Sequence, residues 1–118
     1  TPAYIEQADG PGLTRGKMQR YWDWYAPESQ RRDPGATPLA ASDAQLRALP
    51  PFYLNAAELD PLRSDAERMI ARLRGLGRAD AYDLIPGVVH GFMQFGPALI
   101  EAREAFETAG SVFRERAR

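Results

Sequence analysis

Between residues 52 and 85 the chain passes through an apolar run, a helical stripe and a second short run. Phe52-Tyr53-Leu54-Asn55-Ala56-Ala57 shows no alternation and is interrupted only by Asn55, as expected of a strand buried on both faces of a parallel sheet. It should stop at Glu58-Leu59-Asp60-Pro61, because proline donates no ladder hydrogen bond. Ser64-Asp65-Ala66-Glu67 has the form of a capping box opening a helix. That helix sets Ala66, Met69, Ile70 and Leu73 on one face, and Gly75 and Gly77 are its stop signals. Ala81-Tyr82-Asp83-Leu84-Ile85 alternates weakly, as a strand nearer a sheet edge would, and Pro86-Gly87 opens a loop to His90.

Flanking segments are predicted from the same periodicities. Residues 1–13 read as irregular, with Asp9-Gly10-Pro11-Gly12 a turn. Thr14 caps a helix on which Met18, Tyr21, Trp22 and Tyr25 form one large aromatic face before Pro27 ends it. A stripe at this spacing predicts a core-facing helix. Trp24 lies off the stripe, so a second surface should cover the helix, either a substrate pocket or further protein. Residues 26–41 form a loop longer than an ordinary connection. Ser42-Asp43-Ala44-Gln45 opens a short helix ending near Leu49, before Pro50 and Pro51. A last helix should start at Gly96-Pro97 and bury Leu99, Ala102, Phe106, Ala109, Val112 and Phe113, with Arg114, Arg116 and Arg118 at the negative end of its dipole. Neither an internal repeat nor a low-complexity tract is present.

Strand, helix and strand make a βαβ unit, whose strands should be parallel and joined by a right-handed crossover. Parallel neighbours deliver their carboxyl ends to one sheet edge, where open α/β sheets bind ligands. Asp60 just past the first strand and His90 just past the second should therefore lie side by side. His90 is the single histidine of the chain. Its side-chain type titrates near neutrality, and a carboxylate beside it can fix its tautomer and orientation, as the acid and base of a nucleophilic triad do. The plainer alternatives are a structural histidine and a turn aspartate before proline. Placement of both at corresponding strand ends favours catalysis.

Composition narrows the class. The 118 residues are 44% hydrophobic and 26% charged, as in one small globular domain or part of a larger one. A net charge of −1 with interspersed signs offers no basic face for nucleic acid and no charge block for a membrane surface. Without cysteine there is no disulfide framework, thiolate nucleophile or cysteine metal site. No apolar run approaches the roughly 20 residues of a membrane span. Thr1-Pro2-Ala3-Tyr4 carries no signal-peptide pattern and no initiator methionine, and the chain reads as a processed or truncated piece. The compartment stays open.

Three motifs in order, Leu49-Pro50-Pro51, Ala57-Glu58-Leu59-Asp60-Pro61-Leu62-Arg63 and Pro86-Gly87-Val88-Val89-His90-Gly91-Phe92, resemble the C-terminal part of α/β-hydrolases of the hormone-sensitive-lipase-like esterase and lipase branch. Gly12-Leu13-Thr14 with its aromatic helix and Asp33-Pro34-Gly35-Ala36-Thr37-Pro38-Leu39 resemble the segment before that family's acid-bearing strand. The likeness implies hydrolysis of a small carboxylic ester through an acyl-enzyme, with Asp60 as triad acid and His90 as general base, then general acid. It implies no cofactor and no metal, and it leaves the substrate-binding residues unidentified.

The resemblance also implies what is missing. Such enzymes carry a G-x-S-x-G elbow and an upstream H-G-G oxyanion loop. Neither occurs here, and none of Ser29, Ser42, Ser64 and Ser111 has glycine two positions away on both sides. Ser64 also stands where the family often has an acidic residue. The expected architecture is therefore α/β, a C-terminal fragment of an α/β-hydrolase fold with one parallel βαβ unit, a preceding aromatic helix and a C-terminal helix. Residues 1–118 form the C-terminal part of one domain, with 1–49 near the cap or lid and 50–118 bearing the acid and histidine. A two-stranded parallel sheet leaves edges that something must pair, either a missing N-terminal hydrolase segment or a second copy of the chain. Alone, the chain should be inactive. The competing expectation is a non-catalytic dimerisation or binding module derived from a hydrolase tail.

Overall fold

A computed structural model describes residues 1–116. At its centre β1 (Tyr53–Leu59) and β2 (Ala81–Val89) pair in parallel, joined by the crossover helix α4 (Arg63–Gly75). Before them come α1 (Pro2–Glu6), α2 (Arg15–Tyr25) and α3 (Asp43–Ala48), and α5 (Ile100–Arg116) follows. Single 3-10 turns occupy Glu28–Gln30, Pro38–Ala40 and Phe92–Phe95.

Each sheet face has its own apolar cluster. Phe52 and Leu54 join Ala41, Leu46, Met69 and Leu73 under α3 and α4. Ala57 and Ile85 join Val88, Phe92, Ala102 and Ala105 under α5. Alternation along β1 sends the even and odd positions to opposite faces, so α4 and α5 cover the sheet from two sides. Arg78 ties the corner together. It donates to the carbonyls of Leu46, Leu49 and Pro50 and to the buried Asp80 carboxylate, with its guanidinium 5.5 Å above the Phe52 ring. The five donors of a rigid guanidinium suit a site where several carbonyls converge.

Local signals succeed where solvent or neighbours offer no competing partner. Thr14 accepts from the Lys17 amide at the start of α2, and Ser42 with Gln45 forms the complete capping box of α3. Helix α4 closes with Gly77 at φ +76, the Arg78 amide reaching the Leu73 carbonyl and the Gly77 amide that of Arg74. That pair of bonds is a Schellman motif.

Several expectations need correction. Ser64 does not cap α4: Leu62 holds that position and the buried Ser64 hydroxyl accepts the Ala3 amide at 2.9 Å. The same contact makes residues 2–6 helical where irregular chain was expected, because Ala3 is fully buried against α4. β2 does not stop at Ile85 but runs through Pro86-Gly87 to Val89. The register shifts between Ala57 and Leu59, so proline and glycine sit in a bulge, the setting in which strands tolerate them. β1 is only half-buried apart from Ala56 and Ala57, since the sheet has two strands and one long side of β1 has no strand beside it among the described residues.

Both predicted stripes are also more open than expected. No residue of α2 is buried, and Tyr21, Tyr25 and Trp24 are 46%, 64% and 73% exposed. α5 begins at Ile100, not Gly96, because the Phe95 carbonyl gathers the amides of Ala98 and Leu99 into a separate turn. It buries Ala102 and Ala105 but leaves Phe106 and Phe113 exposed. Arg118 and the side chain of Arg116 lie outside the described residues. The accessible surface of 7710 Å² exceeds the roughly 6,400 Å² expected for a compact monomer of this mass. A radius of gyration of 15.3 Å likewise exceeds the expected ~13.5 Å.

Two stability measurements follow from this packing. Leu73 is fully buried, so Leu73→Ala should cost about 2–5 kcal/mol in urea denaturation; a loss below ~1 kcal/mol would show that its cluster collapses around the void. Tyr53 donates to Asp83 Oδ2 at 2.9 Å, and burial, reinforced by that carboxylate, pushes its phenol up to about 12. Because the unfolded phenol titrates near ~10, the stability this group contributes is intact below that pH and is lost as pH rises through the folded value. Wild type should therefore lose stability more steeply than Tyr53→Phe between pH ~10 and ~12, and parallel curves would contradict the assignment.

Candidate active site

Asp60 follows β1 by one residue and His90 follows β2 by one residue, at the same sheet edge. The two side chains meet, with Asp60 Oδ2 2.8 Å from His90 Nδ1. Asp60 is 7% exposed, and a buried carboxylate is tolerable only when its oxygens are bonded. Its Oδ1 accepts the Leu62 amide at 2.8 Å, closing the Asp-Pro turn that leads into α4. The turn role and the histidine-partner role, opposed as alternatives from sequence, are thus both filled, one by each oxygen.

Facing an ionised carboxylate, which can only accept, a neutral imidazole would present Nδ1–H to Asp60 and leave a lone pair on Nε2. The His90 side chain remains 44% exposed. Gly91 at φ +78 turns the chain directly after it, and buried Phe92 anchors that turn in the α5-side core. Asn55, the polar exception in the β1 run, donates from Nδ2 to Met93 Sδ at 3.3 Å and braces the same turn.

His90 borders two hollows. One, of about 330 Å³, runs past Asn55, Ala57, Asp60, Arg63 and Phe92. The other, of about 410 Å³, is walled by Leu13, Met18, Tyr21, Trp22, Tyr25 and Leu62. The aromatic stripe of α2 therefore lines a hollow that His90 also lines, and periodicity alone presented it as core.

Chemically the pair can accept and return a proton, but three of the four serines, Ser42, Ser64 and Ser111, are engaged elsewhere. Ser42 caps α3, Ser64 holds Ala3, and Ser111 accepts from Arg114 at 3.0 Å. Among the described residues no three His, Asp or Glu side chains are grouped as metal ligands would be, and no helix is long and apolar enough to cross a membrane. Two contributors escaped the sequence reading. Glu58 Oε2 accepts the Gly87 amide at 2.8 Å, and Arg63 bonds both the Glu58 carbonyl and Glu6 Oε2. No periodicity or cap signal marks either residue.

Known proteins resemble this chain in sequence and fold. A profile of the alpha/beta hydrolase fold matches residues 1–94. Carboxylesterase NlhH of Mycobacterium tuberculosis is 34% identical over 106 residues, covering 88% of this chain and 33% of the relative, so the chain spans about a third of its length. Hormone-sensitive lipase of Mus musculus is 36% identical over 76 residues, 64% of this chain and 10% of the lipase. Among solved structures, a thermostable esterase from Pseudomonas putida superposes with a TM-score of 0.92 at 30% identity, covering all of this chain (100%) and 38% of the esterase. Carboxyl esterase 2 from the mycorrhizal fungus Tuber melanosporum gives 0.91 at 27% identity, with 100% and 40% coverage. With the profile matching most of its length and esterases superposing over all of it, this chain belongs to the alpha/beta hydrolase fold family, on its esterase and lipase-like side.

Proposed function

We propose that the chain supplies the acid and base of a serine carboxylic-ester hydrolase, with Asp60 orienting His90 and His90 moving the proton. The observation that carries this reading is the 2.8 Å contact between Asp60 Oδ2 and His90 Nδ1 at the carboxyl edge of a parallel sheet. In the first half-reaction Nε2 takes the proton of a serine hydroxyl as its oxygen attacks the ester carbonyl. The tetrahedral adduct then collapses, the bond to the alcohol breaks, and Nε2 returns the proton to the departing oxygen. In the second half the ring activates water, whose attack releases the acid and frees the serine. Asp60 stays ionised throughout and stabilises the imidazolium. The hollow along α2 is mostly apolar and borders His90, which suits the hydrocarbon part of a small ester.

No serine of the chain lies in a G-x-S-x-G context, so the nucleophile and the oxyanion donors come from outside these residues. In this reading residues 1–49 lie beside the cap and 50–118 carry acid and base, within one domain completed by a nucleophile-bearing segment or by another copy. A second reading, a binding or dimerisation module, is compatible with one observation. Trp24 and Phe113, each 73% exposed, leave large apolar surfaces uncovered.

Two kinetic outcomes are expected. The chain alone should give neither a burst nor turnover of p-nitrophenyl acetate above its His90→Ala variant, since loss of triad groups costs several orders of magnitude. A burst abolished by His90→Ala would contradict this and remove the module reading as well. Assembled with a serine-bearing portion, Asp60→Asn should lower kcat by roughly 10⁴ with KM little changed, because the ring loses its tautomer. A decrease below about tenfold would sink the proposed roles.

A further inference from the structure

The β1–β2 register changes once, and that change decides where His90 falls. Tyr53 to Ala57 pair in step with Ala81 to Ile85, and the next pair is Leu59 with Val89. Between those pairs β1 has Glu58 alone, whereas β2 has Pro86, Gly87 and Val88. β2 thus carries two extra residues. Had the first register continued, Leu59 would face Gly87 and Asp60 would face Val88. His90 would then lie two residues, roughly 6.6 Å, beyond the carboxylate it now touches. The bulge moves both residues to the position directly past the Leu59–Val89 pair, where the 2.8 Å contact forms.

Glu58 is the one residue opposite that bulge, and its side chain holds it. Pro86 has no amide to offer, Gly87 adopts φ +70, and the Gly87 N–H is taken by Glu58 Oε2 at 2.8 Å. Glu58 is itself fixed, its carbonyl accepting Arg63 Nη1 at 3.2 Å while Arg63 Nη2 grips Glu6 at 2.7 Å. We infer that Glu58 is a positioning residue whose carboxylate pins the Pro86-Gly87 bulge and so sets the His90 ring against Asp60. Its importance for ester hydrolysis rests on the function proposed above; its effect on the ring does not.

Reach, not charge, is what the geometry demands. Glu58→Gln keeps an Oε acceptor at the same distance, whereas Glu58→Asp keeps the charge and withdraws it by about 1.5 Å, the length of one carbon–carbon bond. The test uses the ¹⁵N-labelled 118-residue chain, in which His90 is the single histidine and its imidazole signals need no assignment. With the ring neutral, the two nitrogen shifts report which nitrogen carries the proton. Wild type and Glu58→Gln should show the Nδ1–H form, and Glu58→Asp should lose it toward the Nε2–H form with faster exchange of the Gly87 amide. Exchange at Leu54 and Tyr82, in the unshifted part of the ladder, should not change. A Nε2–H ring in wild type, a wild-type signature in Glu58→Asp, or equal loss in both variants would overturn the assignment. If Glu58→Asp unfolds the ladder, Glu58→Gln alone decides, its Nδ1–H ring supporting the assignment and loss of that ring overturning it. Ester turnover enters none of these readouts, so failure of the hydrolase reading would leave the result standing.

Discussion

Two parallel strands joined by a crossover helix must present their carboxyl ends at one edge, and here each end is followed within one residue by an ionisable side chain. The hydrogen bond between Asp60 and His90 depends on that geometry and repays part of its cost. Asp60 is buried, and a carboxylate withdrawn from water needs a donor at each oxygen. The Leu62 amide serves one oxygen and the imidazole the other. Turn, helix start and candidate site are consequently one structure. A change that weakens the turn into α4 also loosens the aspartate that the histidine relies on.

The βαβ core was legible because its signals are local and unopposed. The unalternating run from Phe52, the stripe of Met69, Ile70 and Leu73 and the glycines after it all act through neighbours in sequence, and the edge placement of Asp60 and His90 follows from topology alone. Ser42 and Ser64 show where such reading stops. Both open a capping-box pattern, yet only Ser42 caps, because the buried Ser64 hydroxyl finds the Ala3 amide across 61 residues of sequence. The bulge was illegible for a related reason. Pro86-Gly87 signals a break in the ladder, but whether the strand ends or resumes depends on Glu58 from another strand. Periodicity likewise cannot tell a stripe facing core from one facing a groove, since both are apolar. α2 is the second kind, and the hollow it lines borders His90.

Exposed apolar surface carries its own physical demand. Phe106 and Phe113 stand out from α5, Trp24 and Tyr25 from α2, and one long side of β1 presents backbone without a strand beside it among the described residues. An unpaired strand edge and exposed aromatic side chains are each a template for association. In the fungal esterase the section that superposes on this chain is 40% of the polypeptide. The hydrolase reading assigns the uncovered surfaces to the remaining part of such a domain, and the module reading assigns them to another partner. Both draw on the same hydrophobic driving force, so burial cannot choose between them; chemistry at His90 can.

That chemistry is prepared before any nucleophile is in place. On the proposed reading Asp60 selects the His90 tautomer, the Pro86-Gly87 bulge sets the ring's height along the sheet, and Gly91 and Phe92 shape the turn after it. None of these contacts involves a serine. What remains to be delivered is one hydroxyl within hydrogen-bond reach of Nε2, together with donors for an oxyanion, and a strand-to-helix elbow supplies a hydroxyl and one such donor in a single turn. The 330 Å³ hollow beside the ring is lined by Ala57, Asp60 and Phe92. A base oriented in advance needs no reorganisation when the hydroxyl arrives, and positioned proton transfer of this kind is worth roughly 10²–10⁴-fold in rate. On the proposed reading, the division of labour is therefore physically reasonable. One part of the fold sets acid and base against each other, and the other has to bring the serine.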